Sequence, residues 1–192
     1  MPNFQYREHL STLVSASPSR VYDAMRSFDF SRSWIIRTIF STRGLLFGVS
    51  SRQNRKNNTG VFGPLLESTL NLGWSILEEV PNRELVVGAV TQPWLAKVNF
   101  EGLPGPEFIS FTKPGFAKIA WNIEVSEIKP NLTFLATETR VALTDHNSRR
   151  KFRIYWFLFS PGIRLIRWLA FRIIKRDIKN DPASSKKLTA KN

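Results

Sequence analysis

Residues 151–176 read KFRIYWFLFSPGIRLIRWLAFRIIKR. The stretch is apolar enough for a membrane span, basic enough for a nucleic-acid contact and long enough for the closing helix of a domain. Arginine settles the first possibility. Arg164, Arg167 and Arg172 lie inside the apolar run, and each arginine at the bilayer centre costs about 2.5–3.5 kcal/mol on insertion scales. Three of them outweigh the leucines and isoleucines, so the segment does not span. At about 100° per residue, Phe152, Tyr155, Trp156, Phe159, Ile163, Ile166, Ala170, Ile173 and Ile174 share one arc, the face suited to lie on a sheet. Pro161 lacks a donor and crowds the Phe157 carbonyl, so each half of the helix is more legible than the join.

The charge distribution singles out the same region. The chain carries a net +13. Residues 1–146 hold 15 Lys/Arg against 13 Asp/Glu, a balance of +2; residues 147–192 hold 13 against 2, a balance of +11. Charge gathered on one element favours an anionic partner or, more simply, a solubilising tail. There is no cysteine, which excludes disulfides and thiolate chemistry. The start has no apolar run of signal-peptide length, so a cytoplasmic setting is expected.

Along the chain, residues 4–16 read as a strand. Ser17 and Pro18 then mark a helix start, with Val21, Tyr22 and Met25 as its buried stripe. A second helical stretch covers 32–46, and residues 48–64, rich in Gly, Asn and Ser, read as a flexible loop. From residue 73 the period is that of strands. A hairpin turns at 81–83, PWLAKVNF extends the sheet or leaves it, and LPGPEFISFTKPG has room for one helical turn. A second hairpin turns at 129–131, TDHN caps the next element, and a helix runs from about 147 to 179. The expected organisation is one domain over 1–179 with a disordered basic tail over 180–192.

The second hairpin can be read residue by residue. A turn at 129–131 sets Trp121 opposite Thr139 and Ile123 opposite Thr137, with Asn122 facing Glu138 and Ala120 facing Arg140. One face is then apolar with two hydroxyls in it, which suits a cavity wall, although threonine is also a plain strand former. The other face, with Lys118, Asn122, Glu124, Glu138 and Arg140, reads as solvated ion pairs.

Strand, two helices, antiparallel strands and a long final helix form an α+β order. On the segments SASPSRVYDAM, LEEVPNRELVVGAV, PGFAKIAWNIEV, LATETRV and RRKFRIYWFLFSPG, the chain resembles the START-like, or SRPBCC, superfamily over about residues 5–178. The resemblance implies a helix-grip fold, a curved antiparallel sheet wrapped around the C-terminal helix, with a hydrophobic small molecule or lipid held between them. Some members catalyse cyclisation or dehydration, but no catalytic motif carries over to this chain. Wall candidates are Trp74, Trp94, Phe116, Trp121, Thr137 and Thr139 from the sheet and its connections, and Trp156 and Phe159 from the helix. The 48–64 loop would be the gate. For each aromatic, dry core packing is the competing explanation.

The arc opposite the buried face of the helix holds Arg153, Arg164, Arg167, Lys175 and Lys179 together with Phe157, Trp168 and Phe171. Cations among large rings suit an anionic membrane surface, for which Arg164, Arg167, Trp168, Phe171 and Lys175 are the candidates. Packing against another part of the protein is the blander alternative. Nucleic acid fits least, because residues 1–146 add almost no net charge to a groove. His9 and His146 are far apart, Glu78 and Glu79 point to opposite faces, and no metal site or cofactor is expected. A non-catalytic binder is the favoured class; the alternative is a polyketide cyclase/dehydratase-like enzyme, in which a slipped register would bring Glu138 and Arg140 into the cavity.

Overall fold

The computed structural model describes residues 1, 3–29, 64–95 and 97–180. The second helical stretch, the 48–63 part of the proposed gate and the tail beyond Asn180 lie outside these residues. The described chain is α+β. It runs β1 (Tyr6–Val14), α1 (Pro18–Arg26), α2 (Leu65–Asn71), β2 (Ser75–Val80), β3 (Glu84–Thr91), β4 (Phe100–Glu101), α3 (Gly105–Ser110), β5 (Ala117–Lys129), β6 (Leu132–Leu143) and α4 (His146–Asn180).

Six antiparallel strands form one sheet in the order β1-β6-β5-β3-β2, and β4 pairs with β3. Both hairpins turn on a Pro-Asn pair, with Asn82 at φ 62° and Asn131 at φ 59°. Asparagine tolerates this left-handed conformation better than most residues. The β5–β6 register is the expected one: Trp121 faces Thr139, Ile123 faces Thr137, Asn122 faces Glu138 and Ala120 faces Arg140. β1 closes the sheet against β6, from Tyr6 opposite Val141 to Val14 opposite Thr133.

The two faces differ as the alternation demands. Outside, Arg7 pairs with Glu138 at 2.7 Å, Arg140 also bonds Glu138, and Asn122 donates to Glu84 at 3.0 Å. Burial works against the Glu138 charge, but the bonds from Arg7 and Arg140 prevail and hold its carboxyl below the usual range. This face is not solvated throughout. At one end α3 covers it, burying Phe108, with the Lys118 ammonium 5.5 Å from the Phe108 ring centre. Gly88 lies beneath: a Cβ there would stand 2.5 Å from Leu77 Cδ1 and 3.2 Å from Phe108 Cε2.

The inner face carries the core in two parts. At one end α1 and the second half of α4 bury Val21, Tyr22, Met25, Ile123, Leu135 and Ile174. At the other end Phe152 of α4 meets Ala117, Val141 and Leu143, with Tyr6, Trp94, Tyr155 and Trp156 around it. Asp145 starts α4 as its cap, accepting from the Ser148 N–H at 2.9 Å and the Ser148 hydroxyl at 2.6 Å. The Gly115 N–H (φ 94°) donates to the same carboxylate, so one side chain joins the start of β5 to the start of the helix. Ser17 stands at the start of α1, as expected, but its hydroxyl meets Ser19 and makes no capping bond.

Candidate functional site

α4 runs along β1 in the same direction. Tyr6 packs on Phe152 and Trp156 (ring centres 4.8 and 5.4 Å apart), Glu8 meets Arg164, and Thr12 accepts from Lys175 at 3.2 Å. The Arg20 guanidinium donates to the Ile178 carbonyl at 3.0 Å, tying the far end of the helix to α1. The helix therefore lies across the β1–β6 side of the inner face.

Between the two apolar clusters sits a polar node that sequence reasoning missed. Glu8 is buried, and both of its carboxylate oxygens accept from Arg164, at 2.6–2.9 Å. Arg167 donates to the Glu8 carbonyl at 3.1 Å and to the Thr139 hydroxyl. Hydrogen bonding to Glu8, then its charge, raises Arg164 above its ordinary value. Burial pulls Arg167 down to about 10, against the charges of Glu8 and Glu138, so it stays cationic at neutral pH. The signal for Glu8 was present in the strand period. Tyr6, Leu10 and Val14 share its parity, which put a carboxylate on the inward face and called for cations above it.

The expected wall residues divide between the two clusters. Trp94 meets Phe152 edge-on at 6.4 Å, Trp156 stacks on Phe152 at 5.6 Å, and Phe159 lies 4.8 Å from Tyr155. Trp74 and Trp121 pack on the larger cluster, Trp74 also against Phe100 at 5.2 Å. Thr137 is buried and spends its hydroxyl on the Asn122 carbonyl at 2.6 Å, so local bonding explains it. Thr139 holds Arg167. Phe116 departs from expectation: it precedes β5, and its ring meets Phe111 at 5.6 Å with Lys113 over it, in the connection and outside both clusters.

The expected membrane-facing set also changes. Phe171 is 5% exposed and belongs to the core, and Arg167 turns inward, while Arg164 reaches over to Glu8. Trp168 and Lys175 remain exposed, and so does the Arg164 side chain, at 66%, although it holds Glu8. The physical reason is the phase of the helix. Before Pro161 the buried positions step by four, through Ser148, Phe152 and Ser160; after it they follow Ala170, Phe171, Ile174 and Ile178. At the helical period the buried positions on both sides of Pro161 share one arc of about 140°, turned by roughly 40° from the expected one, so Phe171 and Arg167 fall within it.

For chemistry, Glu8 and Glu79 are inner-face carboxylates already held by arginines: Arg164 for the first, Arg26 at 2.7 Å for the second, which also accepts from the Tyr22 hydroxyl at 2.8 Å. Glu138 and Arg140 are on the outer face, so the slipped register is excluded. Among the described residues no cluster of His, Asp and Glu could hold a metal ion, and no helix is long and apolar enough to cross a membrane. A surface depression of about 470 Å³ between α1 and α2, lined by Arg26 and Leu70 among others, contains none of the expected site residues. Compared with models of protein families, with curated proteins and with solved structures, the chain has no match.

Proposed function

We propose that the chain is a START-like helix-grip domain that binds a hydrophobic small molecule or lipid between the sheet and α4. One observation carries this. Along β5 the inward residues Ala117, Ile123 and Val125 are no more than 1% exposed, yet Ile119 and Trp121 between them stay partly exposed, as does Thr139 opposite. A central strand whose middle is more open than its ends is the reverse of a filled core, and it suits an entry between two apolar clusters. A ligand there would lie on Trp121 and Ile119, with its polar end toward Arg167 and Thr139. The cyclase or dehydratase alternative is weaker, because the inward carboxylates are engaged by arginines and both histidines are exposed away from this region.

The test is native purification followed by organic extraction and mass spectrometry of what comes off the protein. An apolar or amphiphilic molecule present in the wild type and depleted in Trp121→Ala is the expected result. A wild-type protein that yields nothing apolar, and whose tryptophan emission is unmoved by titration with fatty acid or sterol, would remove the proposal.

A further inference from the structure

The face of α4 that points away from the sheet is apolar: it keeps Phe157 and Trp168 of the arc the sequence suggested, loses Phe171 to the core and adds Ile154, Leu158 and Leu165. Ile154, Phe157, Leu158, Leu165 and Trp168 are spaced i, i+3, i+4, i+11 and i+14, which gathers them on one arc. Their exposure runs from 41% for Leu165 to 80% for Phe157. Single exposed apolar residues need no explanation, but five large ones in one row do. From Ile154 to Trp168 the row is about 21 Å long at the helical rise.

Cations bound this row at both ends. Arg150, Lys151 and Arg153 precede it; Arg172, Lys175, Arg176 and Lys179 follow it, all exposed. Across His146–Asn180 there are ten Lys and Arg and one carboxylate, Asp177, a balance of +9. At the row's end the Arg172 guanidinium sits 4.6 Å from the centre of the Trp168 ring, so cation and ring present themselves together.

From this we infer that α4 docks the protein flat on an anionic bilayer. Ile154, Phe157, Leu158 and Leu165 enter the acyl boundary, Trp168 sits at headgroup level, and the flanking arginines and lysines meet lipid phosphates. Two alternatives fit the same face less well. Nucleic acid would use the rings and cations but has no use for Ile154, Leu158 and Leu165, since bases stack on rings. A second copy of the chain would bring the same strong positive charge against itself. This inference stands apart from ligand binding: it concerns the opposite side of the helix and holds whether or not the inner face is occupied.

Vesicle co-sedimentation of the full chain tests it, with phosphatidylcholine alone and with roughly one lipid in three replaced by phosphatidylglycerol. The expected result is binding to the anionic vesicles that falls at least about fivefold when salt is raised to roughly 0.5 M. Phe157→Ser with Trp168→Ser should weaken partitioning roughly tenfold or more. Ile154→Ser with Leu158→Ser should do the same through other residues. All four side chains are exposed, so an unchanged melting temperature shows that each variant is folded. Folded wild type that ignores anionic vesicles, or binding that neither pair weakens, overturns the inference. So does equal, salt-insensitive binding to phosphatidylcholine. An oligonucleotide gel shift or a concentration-dependent dimer that the double variants abolish, without vesicle binding, would assign the face elsewhere and overturn it equally.

Discussion

Phe157 and Phe171 share one helix and one sequence-level assignment, and the structure separates them. Phe171 is 5% exposed and packs into the larger core with Ala170 and Ile174; Phe157 is 80% exposed. Truncating a buried phenylalanine to alanine removes its transfer energy and leaves a cavity, together about 3–5 kcal/mol. For a chain of this size each kcal/mol moves the melting temperature by about 2–4 °C, so Phe171→Ala should lower it by roughly 6–20 °C. Phe157→Ala removes a ring that water already surrounds, and alanine is the better helix former, so its effect should stay within about 0.5 kcal/mol. Urea unfolding followed by far-UV circular dichroism gives both numbers, and unchanged slopes would show that the midpoint shifts report stability. Equal losses, or a larger loss at Phe157, would mean that α4 presents another stripe to the sheet, and the assignment of its inner and outer faces would fall.

Three further outcomes follow from single contacts. Hydrogen bonds from the Ser148 hydroxyl, then from the Ser148 and Gly115 backbone, hold the Asp145 carboxyl well below the usual range; a depressed pKa stabilises above the unfolded value, so the deficit of Asp145→Asn should be full at neutral pH and shrink as pH drops below roughly 4. Burial, then the Glu79 hydrogen bond, pushes the Tyr22 phenol up to about 12; spectrophotometric titration should show a late component that Tyr22→Phe removes, and stability should fall as pH rises from the ordinary tyrosine range of about 10 toward that value. Gly88→Ala would drive a methyl into Leu77, costing about 1–3 kcal/mol, and Leu77→Ala in the same chain should recover part of the loss in a urea melt.

The parts legible in the sequence are those set by local chemistry. Pro130 and Asn131 fix the second turn, and the two-residue period then sets every pair from Trp121–Thr139 outward. TDHN was legible as a capping segment because it immediately precedes a long periodic run, though not that Asp145 is the one of its four residues that caps. α2, seven residues of LLESTLN, went unassigned because it is too short for a helical period to declare itself. Phe171 and Arg167 were misplaced because the expected buried arc was drawn too narrowly around the isoleucines, and the actual stripe is wider and turned toward them. Glu8 was overlooked because its burial depends on Arg164, 156 positions away, and no local pattern holds both. Phe116 lies one residue ahead of the strand whose inward parity begins at Ala117, where aromatic character alone does not tell a wall from a connection.

The pairing of the first strand with the last has a consequence for how the protein is made. Both hairpins can zip as soon as they leave the ribosome, but β1 waits for a partner at residues 133–141, and the Arg7–Glu138 bridge joins positions 131 apart. Closing so large a loop is slow, so the nascent sheet gains its last strand only after β6 has been made. Until then β6 has a bare edge, and the greasy side of the emerging C-terminal helix has no β1 to lie along.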